Sequence, residues 1–234
     1  FDAPAPTAAL RWVLGINAAR WSLAQRIVER MGPETGGVAA AMVTGHEAWV
    51  SQETTDSMRA SGLAHILSIS GLHMAIVGGF LFAAVRLGIA AWPWLALRVD
   101  GKKWAAAAGL ASVGAYLVLS GAPAPAERAA ITASVAFLAV LVDRRAISLH
   151  ALALAALIIL LMQPEAAATP GVQMSFAATA ALVALAEVWP TPAKEISVPW
   201  PIRIAQGFGA WLGISILASL VAGLATGPFA LQHF

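Results

Sequence analysis

Five or six long apolar segments follow one another through this chain, at residues 64–85, 104–121, 122–142, 147–162, 172–188 and 208–231. An apolar helix of roughly 20 residues matches the hydrocarbon thickness of a bilayer. So many of them cannot all turn inward in one soluble core built from 234 residues. The composition agrees: 59% of the residues are hydrophobic, 11% are charged and the mean hydropathy is +0.77, whereas a soluble domain is about half apolar and about a quarter charged. The chain therefore reads as all-α, a polytopic transmembrane helix bundle. Several segments are short for an upright crossing, so tilted or broken helices are expected. With no cysteine there are no disulfides, thiolate metal ligands or cysteine nucleophiles.

The stretch before residue 63 is different. Leu10, Leu14, Trp21, Ala24, Val28 and Met31 recur at helical spacing, with Arg11, Arg20, Arg26 and Arg30 mainly between them. This is the pattern of an amphipathic helix at a membrane surface, and the arginines distinguish it from a cleavable leader. Gly32-Pro33 breaks it. Gly36-Gly37 and Thr44-Gly45 then bracket a short apolar helix, and Ser51 is placed to cap a polar helix running to about Ala60. Residues 1–62 are thus expected to form a peripheral helical segment and residues 63–234 the transmembrane domain. The chain stops at Gln232-His233-Phe234 directly after an apolar run, as a piece of a longer protein would.

The net charge of +2 says less than its distribution. Arg86, Arg98, Lys102 and Lys103 follow the first span, Arg144-Arg145 the third, and Lys194 and Arg203 the fifth. The alternate loops carry at most Arg128. By the positive-inside rule the three basic loops are cytoplasmic, and the amphipathic helix lies on the outer side. Trp92, Trp94 and Trp104 flank the first basic loop as interfacial aromatics do.

Three polar clusters interrupt the apolar segments. In the first, His65, Ser68, Ser70 and His73 stand inside or at the edge of the first span, with Ser70 and His73 three apart on one helix face. Gly71, Ala75 and Gly79 form a small-residue stripe for close helix packing. In the second, Gly121-Ala122-Pro123-Ala124-Pro125-Ala126-Glu127-Arg128 places a proline-broken backbone and an ion pair at the start of the third span. Irregular backbone at membrane depth has to be buried in protein or line a wet cavity. The third runs through Thr169-Pro170-Gly171 into Gln173 and Ser175, a second discontinuous helix start. The last span carries Gly209, Gly213, Ser219 and Gly223 as a packing face. His46, His65, His73, His150 and His233 have no metal-ligand spacing, so no metal and no cofactor are expected.

The run His65-Ile66-Leu67-Ser68-Ile69-Ser70-Gly71-Leu72-His73 resembles the signature of the ComEC-type competence family. Gly121 to Ala129 resembles that family's Gly-x-Ser-Pro-Ser-x-x-Arg-Ala element, with alanine at positions 122, 124 and 126. Pro170-Gly171-Val172-Gln173-Met174-Ser175-Phe176 resembles its Pro-Gly-Phe-Gln-Leu-Ser-Phe element. The resemblance implies an inner-membrane channel domain that passes single-stranded DNA into the cytoplasm during natural transformation. It places His65, Ser68, Ser70, Gly71, His73, Glu127, Arg128, Gln173 and Ser175 along the path. It also implies membrane lipid, a DNA receptor and a cytoplasmic ATP-driven motor as partners, OB-like and metallo-β-lactamase-like domains elsewhere in the full-length protein, and room for a homo-oligomer. No catalytic residue is implied in this stretch. Two other readings stay open from the residues themselves: an intramembrane hydrolase using Ser70 and His73, and a small-solute permease, because broken helices also mark transporters.

Overall fold

The computed structural model describes residues 7–61, 63, 69–188 and 200–233. Among these there is no strand, and the all-α expectation holds. The helices are α1 (Ala8–Met31), α2 (Pro33–Thr44), α3 (Gln52–Ala60), α4 (Gly71–Ala90), the short α5 (Pro93–Ala96), α6 (Gly101–Ser120), α7 (Ala124–Leu141), α8 (Leu149–Met162), α9 (Pro170–Val188) and α10 (Trp200–His233). A 3-10 turn, Pro164–Ala168, joins α8 to α9. Five helical stretches among the described residues, Gly71–Ala90, Gly101–Ser120, Ala124–Leu141, Pro170–Val188 and Gln206–His233, are long and apolar enough to cross a membrane. The chain is a multi-pass membrane protein.

Two compact units divide at Arg144 and Arg145. In the first, α4, α6 and α7 form a three-helix bundle. Its core is Ile69, Met74, Val113, Ala126 and Ala130, with Tyr116, Leu117 and Phe137 packed against it. Two glycines let the helices approach. A Cβ on Gly109 would stand 2.6 Å from Phe137 Cζ, and one on Gly78 would stand 2.9 Å from Val113 Cγ2. Of the expected stripe, Gly71 does lie against α7, with Ala129 Cβ 3.7 Å from where its Cβ would be, whereas a Cβ at Gly79 would meet nothing within 4 Å.

The turn from α6 into α7 is sharp. Gly121 (φ 79°) and Ala122 (φ 51°) are both left-handed, and the Ala122 N–H donates to Leu117 O at 3.1 Å in a Schellman-type closure. Left-handed alanine costs roughly 1–2 kcal/mol, so the surroundings must hold it there. At the far end of the bundle, Lys103 Nζ donates to Asp143 Oδ2 at 2.7 Å and ties the start of α6 to the end of α7. The basic loops after α4 and α7 therefore share one end, as the charge alternation requires. Trp92, Trp94 and Trp104 are exposed there, and the Arg98 guanidinium lies 4.4 Å from the centre of the Trp94 ring.

The segment before residue 63 packs into this unit. Thr7 Oγ1 caps α1, Ser51 Oγ caps α3 as expected, and Gly45 ends α2 in a left-handed conformation. Gly36 and Gly37 do not bracket α2 but lie within it, buried, with the backbone of Val28 2.7 Å from where a Gly36 Cβ would be. The second half of α1 thus lies on α2, with Ala24 fully buried, while Leu10, Trp12, Val13 and Leu14 in its first half are exposed.

In the second unit α9 packs on α10, and Glu187 at the end of α9 accepts from the Leu149 N–H that begins α8, at 3.0 Å. The segment expected at 147–162 forms a helix of 14 residues, about 21 Å long and short of a crossing. The segment expected at 208–231 extends to 34 residues as α10, with Pro228 inside the helix.

Candidate functional site

Within the first unit, α4 and α7 begin side by side. A Cβ on Gly71 would lie 3.7 Å from Ala129 Cβ, and Ile69, Met74, Ala126 and Ala130 share one cluster beneath this contact. The helix expected from residue 64 starts instead at Gly71, because Ser70 is its N-cap. The Ser70 N–H donates to His73 Nδ1 at 3.2 Å, and Ser70 Oγ lies 3.2 Å from the same nitrogen. Together they form a capping box in which histidine stands where glutamate is usual. An Nδ1 that accepts from a backbone N–H carries no proton, so the neutral ring holds its hydrogen on Nε2.

Ala124 opens α7 with Pro125 in its first turn, where a missing N–H costs least. Glu127 sits in that first turn, with Arg128 and Ala129 next. Arg128 is half-buried. Two helix N-termini, each with a partial positive charge, therefore begin beside each other, and one of them carries Arg128 within its first turns. Such an arrangement attracts an anionic group, and Glu127 offsets part of the charge. As a hydrolytic site it is poorer, since His73 Nδ1 already accepts from the Ser70 backbone amide.

The expected path residues divide between the units. Ser70, Gly71, His73, Glu127 and Arg128 gather at one end of the first. Gln173 and Ser175 belong to the second, where Gln173 Nε2 donates to Ala167 O at 2.9 Å and Gln173 Oε1 lies 3.2 Å from His233 Nε2. Ser175 is exposed, and its carbonyl accepts from Thr179 Oγ1 at 2.8 Å. His65 and Ser68 lie outside the described residues. Of the residues expected to pack helices, Ala75 is exposed, and a Cβ at Gly209, Gly213 or Gly223 would meet nothing within 4 Å. Ser219 Oγ donates to Ser215 O within its own helix.

One arginine behind this site was not distinguishable in the sequence from its three neighbours on α1. Arg20 Nη2 donates to Thr44 O at 2.7 Å, its Nε to Leu119 O at 2.9 Å, and its Nη1 to Asn17 Oδ1 at 2.8 Å. A single guanidinium thus caps the C-terminal ends of α2 and α6 at once, where the helix dipoles favour a cation. Burial lowers its pKa from the usual value, though an arginine remains charged. His46 stands beside it, with Nδ1 3.1 Å from Thr44 Oγ1 and the Trp21 ring edge-on at 5.4 Å. Burial first, and then the Arg20 charge, lower the His46 pKa, while hydrogen bonding to the Thr44 backbone opposes them. The glycines at 45 and 121, both ending helices, were the sequence sign of where those carbonyls emerge.

The family model described as "Competence protein" matches residues 42–234. The chain belongs to the competence protein family. ComE operon protein 3 of Bacillus subtilis (strain 168) is 28% identical to it over 203 residues, which is 86% of this chain and 23% of that protein. The competence-family chain thus spans about a quarter of this relative's length. No solved structure matches it. The matched region takes in all three polar clusters and leaves out α1, which carries Arg20.

Proposed function

We propose that this domain forms part of the channel that carries single-stranded DNA through the inner membrane into the cytoplasm during natural transformation. Membership of the competence family and the likeness to ComE operon protein 3 support a role in DNA uptake. The observation that carries the reading is the side-by-side start of α4 and α7, with half-buried Arg128 on the first turns of a membrane-length helix. A strand crossing lipid needs cations for its phosphates, and base-edge readout would impede it. Arg128 and the two helix dipoles meet the first need, while His73 and Ser70 supply a polar wall. Gln173 and Ser175 are the second unit's candidates for the same path. A DNA receptor outside, an ATP-driven motor inside and the remaining domains of the full-length protein complete the machinery in this reading. The basic loops face the cytoplasm, so a cysteine placed at Ala96 is labelled only from that side.

The experiment is uptake of labelled DNA into the cytoplasm by the full-length protein at matched membrane levels. Arg128→Ala abolishes it while DNA still accumulates outside, and Arg128→Lys keeps part of it, because the charge survives without the planar fork. A hydrolase is the second reading, favoured by the 3.2 Å between Ser70 Oγ and His73 Nδ1. It predicts the reverse, an inactive Ser70→Ala beside a working Arg128→Ala.

A further inference from the structure

We propose that Arg20 is a positioning residue for Arg128, acting through the turn between α6 and α7. Its guanidinium holds Leu119 O on one side and Thr44 O on the other. Leu119 is two residues before Gly121, and the left-handed pair Gly121-Ala122 sets the direction in which α7 leaves. A Cβ on Gly121 would fall onto the Arg20 guanidinium, and one on Gly45 would fall onto Ser120 O. Arginine, turn and the end of α2 are therefore packed as one piece, with no room for a side chain at either glycine. Asn17 Oδ1 orients the guanidinium from one turn earlier on α1. From this clasp the chain passes through Pro123 straight into the first turn of α7, whose Ala126 is fully buried and whose Ala129 meets Gly71. With the turn fixed, the height and rotation of the Arg128 turn beside Ser70 and His73 are fixed as well. Without Arg20, the left-handed Ala122 is held less firmly than by its bond to Leu117 O and the clasp together, and α7 can slide or rotate on α4.

The functional half of this inference rests on Arg128 as a contact for the strand. Its geometric half is measured without DNA. In the full-length protein, with any cysteines outside this cysteine-free stretch replaced, the pair Gly71→Cys and Ala129→Cys reports the α4–α7 contact, since their Cβ positions are 3.7 Å apart, within the about 3.5–4.5 Å that a disulfide spans. The pair Ile89→Cys and Gly101→Cys, with Cβ positions 3.6 Å apart at the opposite end, is the control. Rates of disulfide formation are measured in membranes. Arg20→Ala and Gly121→Ala are expected to slow the 71–129 pair by roughly tenfold, the scale of losing a hydrogen bond to a charged group, and to leave the 89–101 pair unchanged. Arg20→Lys falls between, and Asn17→Ala slows the pair by about twofold, a weaker loss of orientation alone. In the background without the introduced cysteines, DNA uptake falls in the same order at matched protein levels.

Equal slowing of both pairs would mean general loosening and would overturn the inference. So would a parent rate at 71–129 in Arg20→Ala and Gly121→Ala, or slowed closure with undiminished uptake. If Arg20→Ala does not accumulate, Gly121→Ala and Asn17→Ala decide by the same outcomes. Normal uptake in Arg128→Ala, with the 71–129 pair still slowed by Arg20→Ala, would locate the failure in the transport reading and overturn the role assigned to Arg20 in it.

Discussion

The two ends of the α4, α6 and α7 bundle handle charge in opposite ways. At the end where α4 and α7 begin, the organising cation is Arg20, and its partners are two helix-end carbonyls and an asparagine. Ser70 and His73 bond to each other there, and Tyr116 Oη donates to Met42 O at 2.7 Å. At the other end the cations are exposed, with Lys103 against Asp143 and Arg98 over Trp94. A cation held by backbone carbonyls is bound to the fold itself, because its acceptors cannot move without moving a helix. A cation paired with a surface carboxylate is screened by salt and replaced by water at little cost. The first end is held by bonds to the fold itself, the second by exposed charge pairs.

That contrast can be broken most sharply at Gly45. Gly45→Ala puts a Cβ onto Ser120 O in a left-handed conformation. Strain and overpacking together are expected to cost about 3 kcal/mol, read as a large fall in the thermal midpoint of the purified protein in detergent. A midpoint within error of the parent would show that the clasped end is not tightly packed.

A smaller effect is expected at the N-cap of α4. Ser70→Ala should lose about 1 kcal/mol and leave His73 without its hydroxyl partner, again measured by thermal unfolding.

Acid sharpens the comparison at His46. Its pKa is lowered in the folded protein, so below about 6.5 the unfolded chain takes up the proton first. The histidine's contribution is complete above that pH and is lost as pH falls from there toward the lower folded value. The parent should lose stability between pH 7.5 and 5.5, and His46→Gln should lose less. An equal loss in both proteins would remove His46 from the account.

The smallest change belongs to the exposed end. Lys103 hydrogen-bonds Asp143 and holds its carboxyl below the usual range, yet both groups are solvent-accessible. Lys103→Ala should leave the midpoint unchanged in physiological salt.

Much of this architecture was legible in the sequence. Thr7, Ser51 and Ser148 cap helices with their hydroxyls, and Gly45 and Gly121 end them, so most breaks fall where cap and turn chemistry puts them. The start of α4 was less legible, because a histidine at the third position of a capping box carries no familiar signature. The expected α4 packing stripe holds at Gly71 but names Gly79 where Gly78 is the packed glycine, for a different reason. Gly78 and Gly79 lie in a helix apolar on every side, which leaves no pattern to tell protein from lipid. Arg20 could not have been singled out among four arginines, because its partners are backbone atoms 24 and 99 residues away. The three polar clusters stood out in the sequence, but only the fold joins Ser70, Gly71 and His73 to the Arg128 turn.

The central claim is that the translocating strand passes the end where α4 and α7 begin. Photo-crosslinking during uptake tests it most directly, with a photoreactive residue in place of exposed Ala124 at the start of α7 and, as the comparison, in place of Phe80, which is 72% exposed on α4. The account predicts that position 124 captures the incoming strand and that position 80 captures lipid. Capture of the strand from position 80, or none from position 124 while uptake proceeds, would contradict it.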